Sequence, residues 1–169
     1  MIKKLEVIRN GINYYKVDVG KNIFIITNSP NEKNLFDYIE ELKNHKTNIL
    51  VRFGEKKYNE DFIRGIDFVD LYIEDGSVPN EETINIFLNI VRKNPVIAVH
   101  CVSGLGRAPM MVLIAIILIY KKNRLESIIN MRQIIPNSLN TKQINFLKNE
   151  LKNVDNRNCG INKDCCIIM

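Results

Sequence analysis

Cys101 and Arg107, with five residues between them, are the side chains whose types and spacing most directly specify chemistry. A thiol becomes a strong nucleophile once ionised, and a guanidinium can grip two oxygens of one anion through its planar fork. The intervening residues, Val102, Ser103, Gly104, Leu105 and Gly106, include two glycines able to take positive φ. Consecutive backbone N–H groups from Val102 to Arg107 can then turn toward one point, forming a cup for a tetrahedral dianion. The field of that cup favours the thiolate form of Cys101. A lone cysteine is more often a small buried hydrophobe, so the weight of the reading falls on what flanks it.

Val96, Ile97, Ala98 and Val99 suit a buried strand, and the unbroken apolar run 110–120 suits a buried helix. The loop therefore lies between a strand and a helix whose positive dipole end faces the same anion. If Cys101 attacks phosphorus, the departing oxygen needs a proton. Asp75 is the candidate donor, because it follows a predicted strand over 66–73 and precedes Gly76, a plausible hinge. Glu74 competes for the role, and an ordinary Asp-Gly turn is the bland alternative.

Elsewhere, short strands are expected over 5–8 and 14–19 about Asn10-Gly11, then over 23–26. Ser29, Pro30 and Glu32 offer a cap, a first-turn proline and a reciprocal acid for a helix whose face carries Leu35, Phe36, Ile39 and Leu42. His45 reads as a solvated residue near that helix's end. A strand over 48–53, a short helix or turn over 58–64 and a helix capped by Asn80 with a stripe of Ile84, Phe87, Leu88 and Val91 precede the central strand. Two further helices, over 125–133 and 142–152, follow it. Alternation of this kind predicts an α/β domain with a central, mostly parallel sheet flanked by helices, and places Cys101 at the strands' carboxyl ends, where ligands bind.

With 169 residues, 46% hydrophobic and 25% charged, the chain reads as one globular domain over 1–152 and a tail over 153–169. Its net charge of +5 is spread without a Lys/Arg block or interleaved aromatics, which argues against nucleic acid as partner. No apolar leader is visible, and the run 110–120 is too short to span a bilayer. Cys159, Cys165 and Cys166 crowd the C-terminus in a pattern that fits neither disulfides nor a metal site, and neither metal nor cofactor is expected.

The run from His100 to Pro109 resembles the active-site loop of the cysteine-dependent protein tyrosine phosphatases, and more narrowly that of the phosphatase of regenerating liver (PRL) family, type IVA. Ile39-Glu40-Glu41-Leu42-Lys43, Leu50-Val51-Arg52, Glu74-Asp75-Gly76 and Asn140-Thr141-Lys142-Gln143 extend the similarity in order. The resemblance implies a dual-specificity-like phosphatase fold, a phosphorylated protein substrate, Cys101 as nucleophile, Arg107 as phosphate clamp and Asp75 as acid then base. Ala108 stands where most related phosphatases carry a hydroxyl that helps the thiolate leave, which implies slow turnover. His100 is expected to orient the loop or simply to pack. Asn140 and Gln143 fit a capping box, and the resemblance suggests that Gln143 faces the site. Two departures stand out: the family's second, protective cysteine falls on Gly54, and its basic patch is replaced by Ile134-Ile135-Pro136-Asn137.

The final residues, Cys166-Ile167-Ile168-Met169, fit a prenylation box, with Met favouring farnesyl. Farnesyltransferase and the cytoplasmic face of a membrane are therefore expected partners, with Cys159 or Cys165 as an acylation candidate. One lipid gives only marginal membrane residence, so a second signal is expected. A binding module is the rival reading, with a CNNM-type magnesium transporter as the partner implied by the resemblance. Homo-oligomer formation is a further expectation, and a sulfur-transfer enzyme is disfavoured because it has no need of Asp75.

Overall fold

The computed structural model describes residues 7–151. The tail, with Cys159, Cys165 and Cys166, lies outside the described residues. The chain opens with β1 (Val7–Arg9), β2 (Ile12–Val19) and β3 (Asn22–Asn28), an antiparallel meander. The turn from β1 to β2 is Asn10-Gly11, both at positive φ, the conformation a two-residue hairpin demands. Then come α1 (Leu35–Asn44), β4 (Ile49–Arg52), a single 3-10 turn (Glu60–Phe62), β5 (Asp67–Asp70), α2 (Glu81–Lys93) and β6 (Val96–Cys101). The chain closes with α3 (Arg107–Leu118), α4 (Arg124–Ile134) and α5 (Thr141–Asn145), the last continuing as a π-helical turn over Phe146–Glu150.

The six strands lie in the order β1-β2-β3-β6-β4-β5, and every pair from β3 onward is parallel. β6 is central because Ile97, Ala98 and Val99 are apolar on both faces and fully buried, as a covered parallel strand requires. One face carries α2, α3, α4 and the last helix over the larger core, and α3 is buried along its whole length. α1 covers the other face, with Leu35, Tyr38, Ile39 and Leu42 inward.

Two expectations for α1 are corrected. The helix starts at Leu35, not at the proline, because Asn31 forms a local turn whose Oδ1 accepts from Lys33 and Asn34 N–H. Phe36 is 76% exposed, and Tyr38 takes its place: positions 35, 38, 39 and 42 share a helical face that 36 does not. Asn80 caps α2 as expected, accepting from Thr83 N–H at 2.8 Å, and Ile84, Phe87, Leu88 and Val91 form its buried stripe.

Candidate active site

Cys101 ends β6, and Arg107 begins α3, so the five residues between them form a strand-to-helix loop at the carboxyl edge of the sheet. The loop's conformation is fixed from outside. Ser29 N–H donates to the Val102 carbonyl at 3.0 Å, and Leu139 N–H donates to the Leu105 carbonyl at 2.8 Å. A trans peptide points its N–H opposite its carbonyl, so the Ser103 and Gly106 N–H groups face the other way, and both residues line a cleft of about 220 Å³. Gly104 has φ +75°, and a Cβ there would lie 2.8 Å from the Thr27 carbonyl oxygen, so glycine is required for both conformation and space.

Cys101, Arg107, Asp75, Ser103, Leu105 and Gly106 come together around this cleft. The Val102 side chain is partly exposed, and Gly104 packs against the backbone of Thr27 and Asn28; neither lines the cleft. Asp75, 84% exposed, places Oδ1 3.0 Å from Arg107 Nη2. The guanidinium is otherwise held by Glu55, which receives Nη1 at 3.0 Å and Nη2 at 3.1 Å, and by the Ile73 carbonyl at 2.9 Å from Nη1. Burial alone would lower the pKa of Arg107. The Glu55 hydrogen bonds, with the charges of Cys101, Glu55 and Asp75, outweigh it and the net shift is upward. In return Arg107 holds the Glu55 carboxyl below its ordinary range.

Beneath the loop His100 is fully buried, and desolvation lowers its pKa to about 4. A neutral imidazole has one donor and one acceptor. Burial raises the pKa of Tyr58, so its hydroxyl keeps its proton and donates to His100 Nε2 at 2.7 Å. That assignment leaves Nδ1–H directed at the Cys101 carbonyl, 3.4 Å away. His100 thus braces the backbone of the nucleophile position and leaves the thiol alone.

Asn140 and Gln143 form the capping box of α5, and they do more than cap it. Asn140 Nδ2 donates to the Gly76 carbonyl at 3.0 Å, and Gln143 Nε2 donates to the Ser77 carbonyl at 3.2 Å. Together they tie the Asp75 loop to the far wall of the cleft, where Gly76 takes φ +67°. Gln143 also sits 3.2 Å from where a Cβ on Gly106 would be, which closes that side of the loop. Gly54 approaches equally closely: a Cβ there would lie 3.1 Å from Val102 N and 3.2 Å from Cys101 Cα. Cys101 is a free thiol, the single cysteine of the described residues.

Sequence reasoning missed Glu55, Tyr58, Asn137 and Leu139. For Glu55 a signal was present, since it follows the carboxyl end of a strand that pairs with β6, the edge where ligand-binding groups gather. Tyr58 reaches His100 only through tertiary packing across 42 residues.

A thiol at the base of a loop that opens a buried helix, faced by a buried arginine and an exposed aspartate, on a mostly parallel sheet, defines a cysteine-dependent phosphatase of the dual-specificity type. Solved structures share the fold. A protein tyrosine phosphatase from Leishmania major superposes with TM-score 0.70 at 28% identity, over 76% of this chain and 87% of that one. Kinase associated phosphatase does so with TM-score 0.69 at 19% identity, over 78% and 87%. A family model described as the DSP-PTPase phosphatase of polymorphic toxin systems matches residues 27–123. PRL-1 phosphatase of Drosophila melanogaster is 37% identical over 134 residues, covering 74% of this chain and 75% of that protein. Human protein tyrosine phosphatase type IVA 3 is 34% identical over 134 residues, 74% and 76% of the two chains. The chain belongs to the PRL family, the type IVA protein tyrosine phosphatases, and is a protein tyrosine phosphatase.

Proposed function

We propose that Cys101 attacks the phosphorus of a phosphotyrosine side chain in a protein, with the leaving oxygen protonated by Asp75 and a cysteinyl phosphate formed. Water activated by the same carboxylate then releases phosphate. The observation that carries this reading is the hydrogen-bonding state of Arg107. Nη1 donates to Glu55 and Ile73 and Nη2 to Glu55, while Asp75 meets Nη2 as an ion pair at 3.0 Å. A phosphate gripped by two parallel bonds must therefore use Nε and Nη2, displacing Asp75, the most exposed of the partners. Seating the phosphate and freeing the acid to face the leaving oxygen become one event. Glu55 and Ile73 keep the guanidinium plane fixed meanwhile, so stabilisation of charge on the equatorial oxygens needs little reorganisation.

Ala108, fully buried in the first turn of α3, offers no hydroxyl to the departing thiolate, which supports slow breakdown of the intermediate. Cys166 carries a farnesyl group in this reading, placing the enzyme on the cytoplasmic face of a membrane. Rapid-mixing release of a chromogenic leaving group, with trapping of the phosphoenzyme, tests the chemistry. A stoichiometric burst lost in Cys101→Ser and a steady state slowed in Asp75→Asn are expected. No burst and no trapped phosphoenzyme would leave the domain a docking module. Transfer of labelled farnesyl to the full chain but not to Cys166→Ser tests the anchor.

A further inference from the structure

α3 starts at the catalytic cleft and runs away from it for 12 residues, so its far end lies about 18 Å from Arg107, toward the opposite edge of the sheet. That end is marked by Tyr120, which packs on Gly20 and hydrogen-bonds Asn22 at the start of β3. α4 begins there and the last helix ends there: Arg124 Nη1 donates to the Leu147 carbonyl at 3.0 Å. Lys122, Arg124, Leu125 and Lys148 line one shallow cleft between the two helices. None of its three cations makes an ion pair among the described residues. Leu125 is 54% exposed, and Ile129, one turn further along the same face of α4, is 57% exposed. The acidic residues beside them are Glu126, Glu150 and Asp18, and Asp18 is already ion-paired to Lys16 at 3.6 Å. Leu151, the last described residue, follows one turn after Leu147 at this same end.

We infer that this end of the domain, centred on Lys122, Arg124, Leu125, Ile129 and Lys148, docks on an anionic lipid surface and holds the catalytic cleft pointing away from it. Cations around two exposed aliphatic side chains match a headgroup layer over acyl chains, the combination that binds peripheral proteins to membranes. The surface supplies a second membrane signal where the tail's own charges, Arg157 and Lys163 against Asp155 and Asp164, nearly cancel. It also fixes the substrate class. With the cleft about a helix length above the bilayer, the phosphate must come from a protein that projects into the aqueous phase, and a phosphorylated lipid headgroup lies out of reach. The farnesyl anchor belongs to the proposed function; the docking face stands without it.

The chain contains no Trp, so a single introduced one reports its own surroundings. The experiment uses the full, unprenylated chain at low salt with vesicles of phosphatidylcholine alone or with phosphatidylserine, whose acyl chains carry bromine as a quencher. Binding to the serine-containing vesicles, loss of about fivefold in affinity per charge in Lys122→Gln and Lys148→Gln, and quenching of Leu125→Trp but not of Tyr72→Trp are expected, Tyr72 being an exposed residue that precedes Ile73 at the cleft end. Turnover of a small soluble phosphomonoester should be unchanged in all four variants. No preference for phosphatidylserine, or equal quenching at both positions, would overturn the inference. Absence of binding would point to a protein partner for this face. Failure of farnesyl transfer to Cys166 would remove the anchor and leave these outcomes untouched.

Discussion

Arg52 and Arg107 are the two largest fully buried side chains of the described residues; Arg52 ends β4 and Arg107 begins α3, both at the carboxyl edge of the sheet. Arg52 is gripped by Asp70, at 3.2 Å from Nε and 2.5 Å from Nη2, and lies between the rings of Tyr58 and Phe68, 5.4 and 5.1 Å from their centroids. Burial opposes its charge, and Asp70 more than restores it, as Glu55 does for Arg107. Electrostatically the pair are alike. They differ in what can be exchanged. The aromatic rings and Asp70 enclose Arg52, whereas one partner of Arg107, the exposed Asp75, stands between it and an open cleft. Paired burial makes a charge tolerable, but a replaceable partner makes it a binding site.

The sharpest way to break this comparison is to substitute each arginine and measure both activity and stability. Arg107→Lys should lower kcat/KM by about 10²- to 10³-fold, because an ammonium cannot hold Glu55 and phosphate in one plane. Arg52→Met should leave kcat/KM within about threefold and lower unfolding stability by about 1 to 2 kcal/mol, measured by urea titration, since the Asp70 left behind is 44% exposed and takes up water in place of its partner. A large activity loss in Arg52→Met with stability intact would invert the assignment. Next in size, Asp75→Asn should reduce kcat about 100-fold while KM changes little, read from steady-state rates on a poor leaving group.

His100 sharpens the contrast by pH. Its folded-state pKa of about 4 lies below the ordinary 6.5, so the unfolded chain binds the extra proton and stability rises with pH between those values. The gain is on the order of 3 kcal/mol and is complete above about pH 6.5. Urea titrations of wild type and His100→Gln across that window check it: the variant should lack this part of the slope. Tyr58→Phe, which removes the donor to His100 Nε2, should cost about 1 kcal/mol, the smallest effect of the set.

The alternation of strands and helices, the loop from Cys101 to Arg107 and the candidacy of Asp75 are all legible in the residues alone. Each rests on local rules: apolar runs that only a covered strand or helix can hide, glycines where the chain must turn, and an acid beside a hinge. Capping is equally local, which is why Asn80 and the box of Asn140 and Gln143 were legible, although a competing Asn31 turn displaced the start of α1. Packing alone settles which groups distant in the chain meet around the cleft and its buried cation. Glu55 reaches Arg107 across 52 residues, Asn140 reaches Gly76 across 64, and Tyr58 braces His100 across 42. No spacing encodes those meetings, because they depend on the order in which β4 and β6 pair and on which side chain of each loop is left facing the cleft once the cores have closed.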